Sequence, residues 1–264
     1  MKEVKKNSSS GIPLIIIVLV LVGVVVGGWY LYSSAKNTPR GNANVAQTNS
    51  ARTPTVTNAP VGANPPNMLG SPTAAVTVEE FADFQCGSCA AVHPVMKEIQ
   101  SIYGSKIKLI FRNYPLPNHD KAFDAAVVAE AAGIQGKFWA MQDQLFTNQQ
   151  TWASPSANAK QLWGEYAQKI GLDVQQFQND IAGMAAKSRV EQDRSRGAAL
   201  GVNSTPSIFV NGESVPFQLA NVAGMRQIID QKLQEASASQ SQSRPQTAPA
   251  PASNTSNSNS TNGK

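Results

Sequence analysis

The 264-residue chain contains two cysteines, Cys86 and Cys89, and only two residues separate them. Two cysteines cannot form a disulfide framework, so the pair is predicted to be reactive, metal-ligating or without a function. The stretch Val76–Phe81 before the pair has the composition of a β-strand. Apolar residues recur at helical spacing from Cys89 to Ile99, so we expect a strand to lead into the pair and a helix to leave from it.

This arrangement predicts a redox-active site. Cys86 would lie at the N-terminus of the helix, where unpaired N–H groups and the helix dipole stabilise a thiolate. Cys89 would lie one turn later, within disulfide range, and act as the buried resolving thiol. A Cys-x-x-Cys motif alone is moderately specific, but one that follows a strand and opens a helix in an exported protein strongly indicates thiol–disulfide exchange.

Glu80 is the next candidate site residue. In a strand, Val76, Val78 and Glu80 lie on the same face. Burial on that face would raise the pKa of the carboxyl group and make Glu80 the acceptor of the Cys89 proton. The alternative is an edge strand in which Glu80 is in water.

Thr205 and Pro206 form a candidate substrate-binding segment. They precede Ser207–Val210, a predicted strand, and Asn211-Gly212 is typical of a hairpin turn. A cis bond before proline costs only about 0.5–1 kcal/mol, and the Thr205 backbone would then pair with an extended substrate chain. The alternative is an ordinary trans proline that opens a strand.

Residues 12–32 are uncharged and rich in Ile, Leu and Val. As a helix they would span roughly 31 Å, which predicts a single transmembrane anchor. Three lysines within residues 1–11 predict a cytoplasmic N-terminal tail and a catalytic domain outside the cytoplasm, in the periplasm or at the cell surface. The alternative is a signal peptide cleaved near Ser33-Ser34-Ala35, although the apolar stretch is long for one.

The remaining chain divides by composition. Residues 33–69 and 237–264 are poor in large apolar side chains, so a disordered linker and a disordered tail are predicted. Residues 70–236 are predicted to form one α/β domain, with helical periodicity at about 115–200 indicating an inserted helical region. They carry 14 basic and 16 acidic side chains of the 22 and 17 in the whole chain, so no nucleic-acid-binding face is expected.

Zinc binding is a weaker alternative for the cysteine pair. Cys86, Cys89, His93 and His119 equal the number of ligands in a structural zinc site. Their spacing fits no common zinc module, and a lone helical histidine is more often packed or solvated than ligating. We therefore predict neither a metal nor a cofactor.

Several motifs follow one another along residues 70–236, namely Glu80–Cys89, His93-Pro94, Gly136–Trp139, and Leu200–Val202 with Thr205–Gly212. In this order they resemble the DsbA-like branch of the thioredoxin superfamily. The resemblance implies a thioredoxin-like fold with an inserted helical domain. It also implies that Cys86 is the nucleophile, Cys89 the resolving thiol, Glu80 the buried acid and Pro206 a cis-proline.

We expect disulfide donation to unfolded or newly exported polypeptides, with a membrane protein as the redox partner that reoxidises or reduces the cysteine pair. The chain departs from the family at Gly87 and Ser88, where many members have proline followed by an aromatic residue or histidine. Because this dipeptide helps set the redox potential, a reductase or isomerase is an alternative. A further alternative is a non-catalytic module that grips exported peptides at Thr205-Pro206.

Overall fold

The computed structural model describes residues 58–242. Within them, five strands form one mixed sheet in the order β1-β3-β2-β4-β5. The strands are β1 Asn67–Gly70, β2 Val76–Ala82, β3 Ile107–Asn113, β4 Ser207–Val210 and β5 Glu213–Val215. The α-helices are α1 Gly87–Tyr103, α2 Ala122–Ile134, α3 Phe138–Thr147, α4 Gln149–Trp152, α5 Ala159–Lys169, α6 Val174–Ala182, α7 Met184–Ala199 and α8 Val222–Gln242.

The central strand β2 leads directly to the cysteine pair. It runs parallel to β3 and antiparallel to β4, so both of its edges are hydrogen-bonded. The two outer strands are antiparallel to their neighbours. This arrangement confirms the expected strand–helix unit and the thioredoxin-like α/β fold, because β2, α1 and β3 form a parallel crossover and β4–β5 form the return hairpin.

The hairpin turn forms where the sequence indicates it. Asn211 and Gly212 have φ angles of 49° and 81°, the left-handed conformation that a two-residue hairpin turn requires. Because asparagine and glycine adopt this conformation at little cost, the local sequence is sufficient to specify the reversal.

Apolar residues pack in two large clusters. One lies between the sheet and helices α1 and α8, and it contains Val76 and Val78 on β2 together with Met96, Ile99, Met225 and Ile229. The other is formed mainly by helices α2–α7, which lie between β3 and β4 in the sequence. The predicted helical insertion is therefore present, and its core continues to Phe84, Cys86 and Cys89 at the end of the sheet.

The predicted linker over residues 33–69 is wrong at its C-terminal end. Residues 67–69 belong to β1, and Ala63 is buried. The guanidinium group of Arg112 donates to the carbonyl oxygens of Val61 and Ala63, and that of Arg196 donates to the carbonyl oxygen of Pro60. Backbone hydrogen bonds to buried side chains thus hold a segment whose composition offers little apolar surface.

The same arginines belong to a buried ionic network. Arg112 bonds Glu79 at 2.7 Å and Asp193 at 2.9 Å, and these three side chains are 8% exposed or less. Arg196 also bonds Glu79, with distances of 2.7 Å to both carboxylate oxygens. Burial acts to raise the pKa of Glu79, but the hydrogen bonds from Arg196 and Arg112 outweigh it and hold the pKa below its ordinary value.

The predicted tail boundary at residue 237 is also wrong, because α8 continues to Gln242. Ser237, Ser239 and Ser241 each donate a side-chain hydrogen bond to the carbonyl oxygen four residues earlier. These hydroxyl groups satisfy their hydrogen bonds within the helix, so a polar composition does not end it here.

Between residues 58 and 242, no helix combines the length and apolarity needed to span a bilayer. The predicted transmembrane segment, 12–32, lies outside the described residues, as do residues 1–11 and the tail beyond residue 242.

Candidate active site

Cys86 is the N-cap residue of α1. Its backbone is extended, with φ −76° and ψ 121°, and the helix begins at Gly87. The turn from β2 is closed by a hydrogen bond of 3.1 Å from the Cys86 N–H group to the carbonyl oxygen of Asp83. Cys86 therefore lies at the N-terminus of the helix, as the sequence predicts, and the unpaired N–H groups of the first turn are near its side chain.

The Cys86 sulfur is surrounded by hydrogen-bond donors. The Cys89 thiol and the backbone N–H groups of Cys89 and Ser88 stabilise a thiolate at this position, while partial burial acts in the opposite direction. Together these groups lower the pKa of Cys86 from 9.0 to about 5. At neutral pH the side chain is consequently a thiolate, which is the reactive species in disulfide exchange.

The pKa of Cys89 is shifted in the opposite direction to that of Cys86. It is fully buried, and both cysteines are free thiols. Burial, followed by the neighbouring Cys86 sulfur, raises the pKa of Cys89 far above its ordinary value. The Asp83 N–H group lies 3.5 Å from the Cys89 sulfur. The pair is thus divided into an accessible thiolate and a protonated inner thiol.

The Thr205–Pro206 peptide bond is cis, as the resemblance implied, and it lies beside Cys86. The Cys86 sulfur lies 3.4 Å from the Thr205 carbonyl oxygen. The Thr205 hydroxyl is buried and has no hydrogen-bond partner in the described part of the chain, and its proximity contributes to the low pKa of Cys86. Residues 119 positions apart therefore form the two sides of one site.

Glu80 lies where strand alternation places it. Its side chain shares the face of Val76 and Val78, and the residue is 3% exposed. Burial raises the pKa of its carboxyl group to about 8. The carboxyl makes no hydrogen bond or ion pair with any described residue, and it borders a cavity of about 300 Å³ that Gln100, Trp139 and Gln142 also line. Its role as the acceptor of the Cys89 proton stays a prediction.

The histidines of the zinc alternative are bonded elsewhere. His93 bonds Asp143 at 3.0 Å, and His119 bonds Asp83 at 2.7 Å. Across residues 58–242, no three His, Cys, Asp or Glu side chains are grouped so that they could hold a metal ion.

Sequence reasoning missed the side chains that brace the reactive turn. The buried carboxylate of Asp83 accepts from the N–H groups of Gln85 and Leu116 and bonds the Nδ1 atom of His119. The amide of Gln149, in α4, donates to the carbonyl oxygens of Phe84 and Cys86. The one sequence signal was an acidic residue three positions before Cys86. His119 was considered only as a zinc ligand, and nothing in the local sequence indicated that His119 or Gln149 would contact the turn.

A helix that starts at a Cys-x-x-Cys motif, a mixed sheet and an adjacent cis-proline define the class of thioredoxin-fold proteins. The profile of a family described as thioredoxin matches residues 63–231, and the chain belongs to that family.

Solved structures support this assignment. A thioredoxin-like oxidoreductase from Silicibacter pomeroyi DSS-3 is 26% identical with a TM-score of 0.53, covering 66% of this chain and 92% of that chain. Oxidised BdbD from Bacillus subtilis is 25% identical with a TM-score of 0.56, and the match covers 67% of this chain and 98% of that chain. The fold is also shared with alpha-DsbA1 from Wolbachia pipientis, at 20% identity and a TM-score of 0.57, covering 66% and 94%. The chain thus shares the thioredoxin fold of these proteins.

Curated relatives include Na(+)/H(+) antiporter NhaA 1 of Mycolicibacterium gilvum (strain PYR-GCK). It is 34% identical over 160 residues, which are 58% of this chain and 24% of the relative. The chain therefore spans about a quarter of the length of the curated relatives it matches.

Proposed function

We propose that this chain is a protein thiol:disulfide oxidoreductase that donates disulfides to exported polypeptides. The observation that carries the proposal is the environment of Cys86, which lowers its pKa to about 5. A stabilised thiolate favours the reduced form of a cysteine pair, and a protein whose reduced form is favoured oxidises its substrates. The low pKa of Cys86 therefore supports donation over reduction.

The reaction proceeds through a mixed disulfide. A substrate thiolate attacks the Cys86 sulfur of the Cys86–Cys89 disulfide, and Cys89 leaves as a thiolate that takes up a proton. A second substrate thiolate then attacks the substrate sulfur bound to Cys86. The substrate leaves with a new disulfide, Cys86 leaves as a thiolate, and two electrons remain on the pair.

Two groups assist these steps. The Thr205 backbone, next to the cis-proline, pairs with an extended substrate segment and brings its sulfur to Cys86. Glu80, protonated below a pH of about 8, exchanges a proton with Cys89 as that thiol forms and breaks its disulfide. The role of Thr205 is supported by the 3.4 Å between its carbonyl oxygen and the Cys86 sulfur, and that of Glu80 by the burial and raised pKa of its carboxyl group.

The cellular setting belongs to the same proposal. The apolar segment 12–32 anchors the chain in a membrane, with residues 1–11 in the cytoplasm and the redox domain outside it. A membrane protein accepts the two electrons and reoxidises the pair. Antiporter activity is not proposed, since the match to the antiporters covers 24% of their length.

The test is oxidative refolding. The oxidised protein is mixed with a reduced substrate protein whose native form contains disulfides. We expect stoichiometric oxidation by the wild-type protein and none by Cys86→Ala. Mixed disulfides should accumulate when the Cys86 thiolate of Cys89→Ala attacks the disulfides of the oxidised substrate, because no second thiol is present to resolve them. A wild-type rate no greater than that of Cys86→Ala would overturn catalysis and favour the peptide-binding module. Equilibration with glutathione decides the direction: a strongly reducing pair would favour a reductase, and rescue of a scrambled substrate would favour an isomerase.

A further inference from the structure

One side chain of the helical insertion holds two carbonyl groups of the reactive turn. The Nε2 atom of Gln149 donates to the carbonyl oxygen of Phe84 at 2.7 Å and to that of Cys86 at 2.9 Å. Gln149 is only 9% exposed, so water competes little for this amide. The two carbonyl groups flank Gln85, and the amide therefore fixes the backbone that leads into the nucleophile.

The short helix that carries Gln149 is held in place by packing and hydrogen bonds. It opens α4, in which Trp152 is fully buried and donates through Nε1 to the carbonyl oxygen of Leu145 at 2.7 Å. The Trp152 ring packs against that of Trp163 with centroids 5.6 Å apart. Lys121 donates to the carbonyl oxygens of Trp152 and Ser154. The amide of Gln149 is thus a fixed donor.

The turn lacks packing of its own after the nucleophile. A Cβ atom placed on Gly87 would have no heavy atom within 4 Å, so no packing against the Gly87 α-carbon holds the Cys86–Gly87 peptide plane. Glycine also allows that plane to rotate more freely than any other residue. The Cys86 carbonyl accepts from the Ala90 N–H group at 3.1 Å, and Gln149 supplies its second bond.

We propose that Gln149 is a positioning residue for the nucleophile: by fixing the carbonyl oxygens of Phe84 and Cys86, it keeps the N–H groups of Ser88 and Cys89 aimed at the Cys86 sulfur. The inference deepens, and rests on, the proposed thiol–disulfide exchange at this site. Hydrogen bonds weaken steeply as their angle departs from linear, so loss of alignment destabilises the thiolate. The insertion thereby tunes a nucleophile 63 residues away in sequence.

The test compares Gln149→Met, which removes the donor at similar side-chain length, with Gln150→Met at the adjacent exposed position. The thiolate absorbance of the reduced full-length protein is titrated with pH. We expect the Cys86 midpoint to rise by about 0.5–1 pH unit in Gln149→Met and to stay unchanged in Gln150→Met. The equilibrium with glutathione shifts about three- to tenfold toward the oxidised protein, because the reduced form is less stabilised.

A purely structural glutamine would lower the melting temperature and leave both readouts at wild-type values, and that result would overturn the proposal. If Gln149→Met does not fold, Gln149→Asn, which is one methylene too short to hold both carbonyls, is measured in the same way with the same expectation. Neither readout uses a substrate protein. Failure to oxidise a refolding substrate therefore counts against the proposed function, whereas an unshifted midpoint counts against Gln149.

Discussion

The Cys86 sulfur lies 3.4 Å from the carbonyl oxygen of Thr205, and this contact joins the start of α1 to the cis-proline loop. On one side of the sulfur are the helix N–H groups and the Cys89 thiol, and on the other is the backbone that would pair with a substrate. In the reaction proposed above, a substrate sulfur would approach Cys86 along the Thr205 backbone, so that one site would both bind a chain and exchange its disulfide.

The first prediction concerns the donor provided by Cys89. Its thiol is the largest contribution to the low pKa of Cys86, so Cys89→Ala should raise the Cys86 titration midpoint above the value of about 5. Cys89→Ser should keep the midpoint close to the wild-type value, since a hydroxyl group also donates. The measurement is the pH dependence of Cys86 alkylation, and equal midpoints in the two variants would contradict this assignment.

The second prediction concerns Glu80 and the pH dependence of stability. Burial raises its pKa from 4.5 to about 8, so the folded state retains a proton that the unfolded state loses. Stability should therefore fall as pH rises from about 4.5 to 8 and level off above that, by at most roughly 1.4 kcal/mol per pH unit.

Glu80→Gln tests this linkage because glutamine does not titrate. Denaturant unfolding at several pH values should show that the variant gains stability relative to the wild type between about pH 4.5 and 8. A constant difference across that window would mean that the pKa of Glu80 is not raised in the folded protein.

The third prediction concerns the buried ionic network. Arg112→Met should destabilise the fold by about 3–5 kcal/mol, because it leaves the carboxylates of Glu79 and Asp193 buried without Arg112. Arg194→Met is the control, since Arg194 pairs with Glu191 at the surface and such pairs contribute about 0–1 kcal/mol. If urea unfolding shows equal losses in the free energy of unfolding for the two variants, the stabilising role of Arg112 is contradicted.

The fourth prediction concerns the segment before β1. Gly62 has φ +77°, and a Cβ atom there would lie 2.7 Å from the Arg112 guanidinium group. Gly136 has φ +74° with no heavy atom within 4 Å of the same position. Gly62→Ala should therefore cost more than Gly136→Ala, which carries only the backbone strain of about 1 kcal/mol. Matching melting temperatures would show that residues near Gly62 are not held against Arg112.

Local sequence determined the parts of this protein that depend on neighbouring residues. Spacing placed Cys86 at a helix N-terminus and Cys89 beneath it, alternation placed Glu80 on the buried face of β2, and Asn211-Gly212 specified the hairpin. Each follows from the short-range geometry of a helix, a strand or a turn, and that geometry repeats every few residues whatever the rest of the chain does.

Only the tertiary structure decided which distant groups complete these elements. Gln149 reaches the Cys86 carbonyl across 63 residues, and Arg112 holds the backbone of Ala63 across 49. Such contacts satisfy the hydrogen bonds of buried polar groups. Any donor of suitable length can do this, so composition and periodicity do not predict which residue the partner will be. The packing of the helical insertion against the end of the sheet determines which distant residues become these partners.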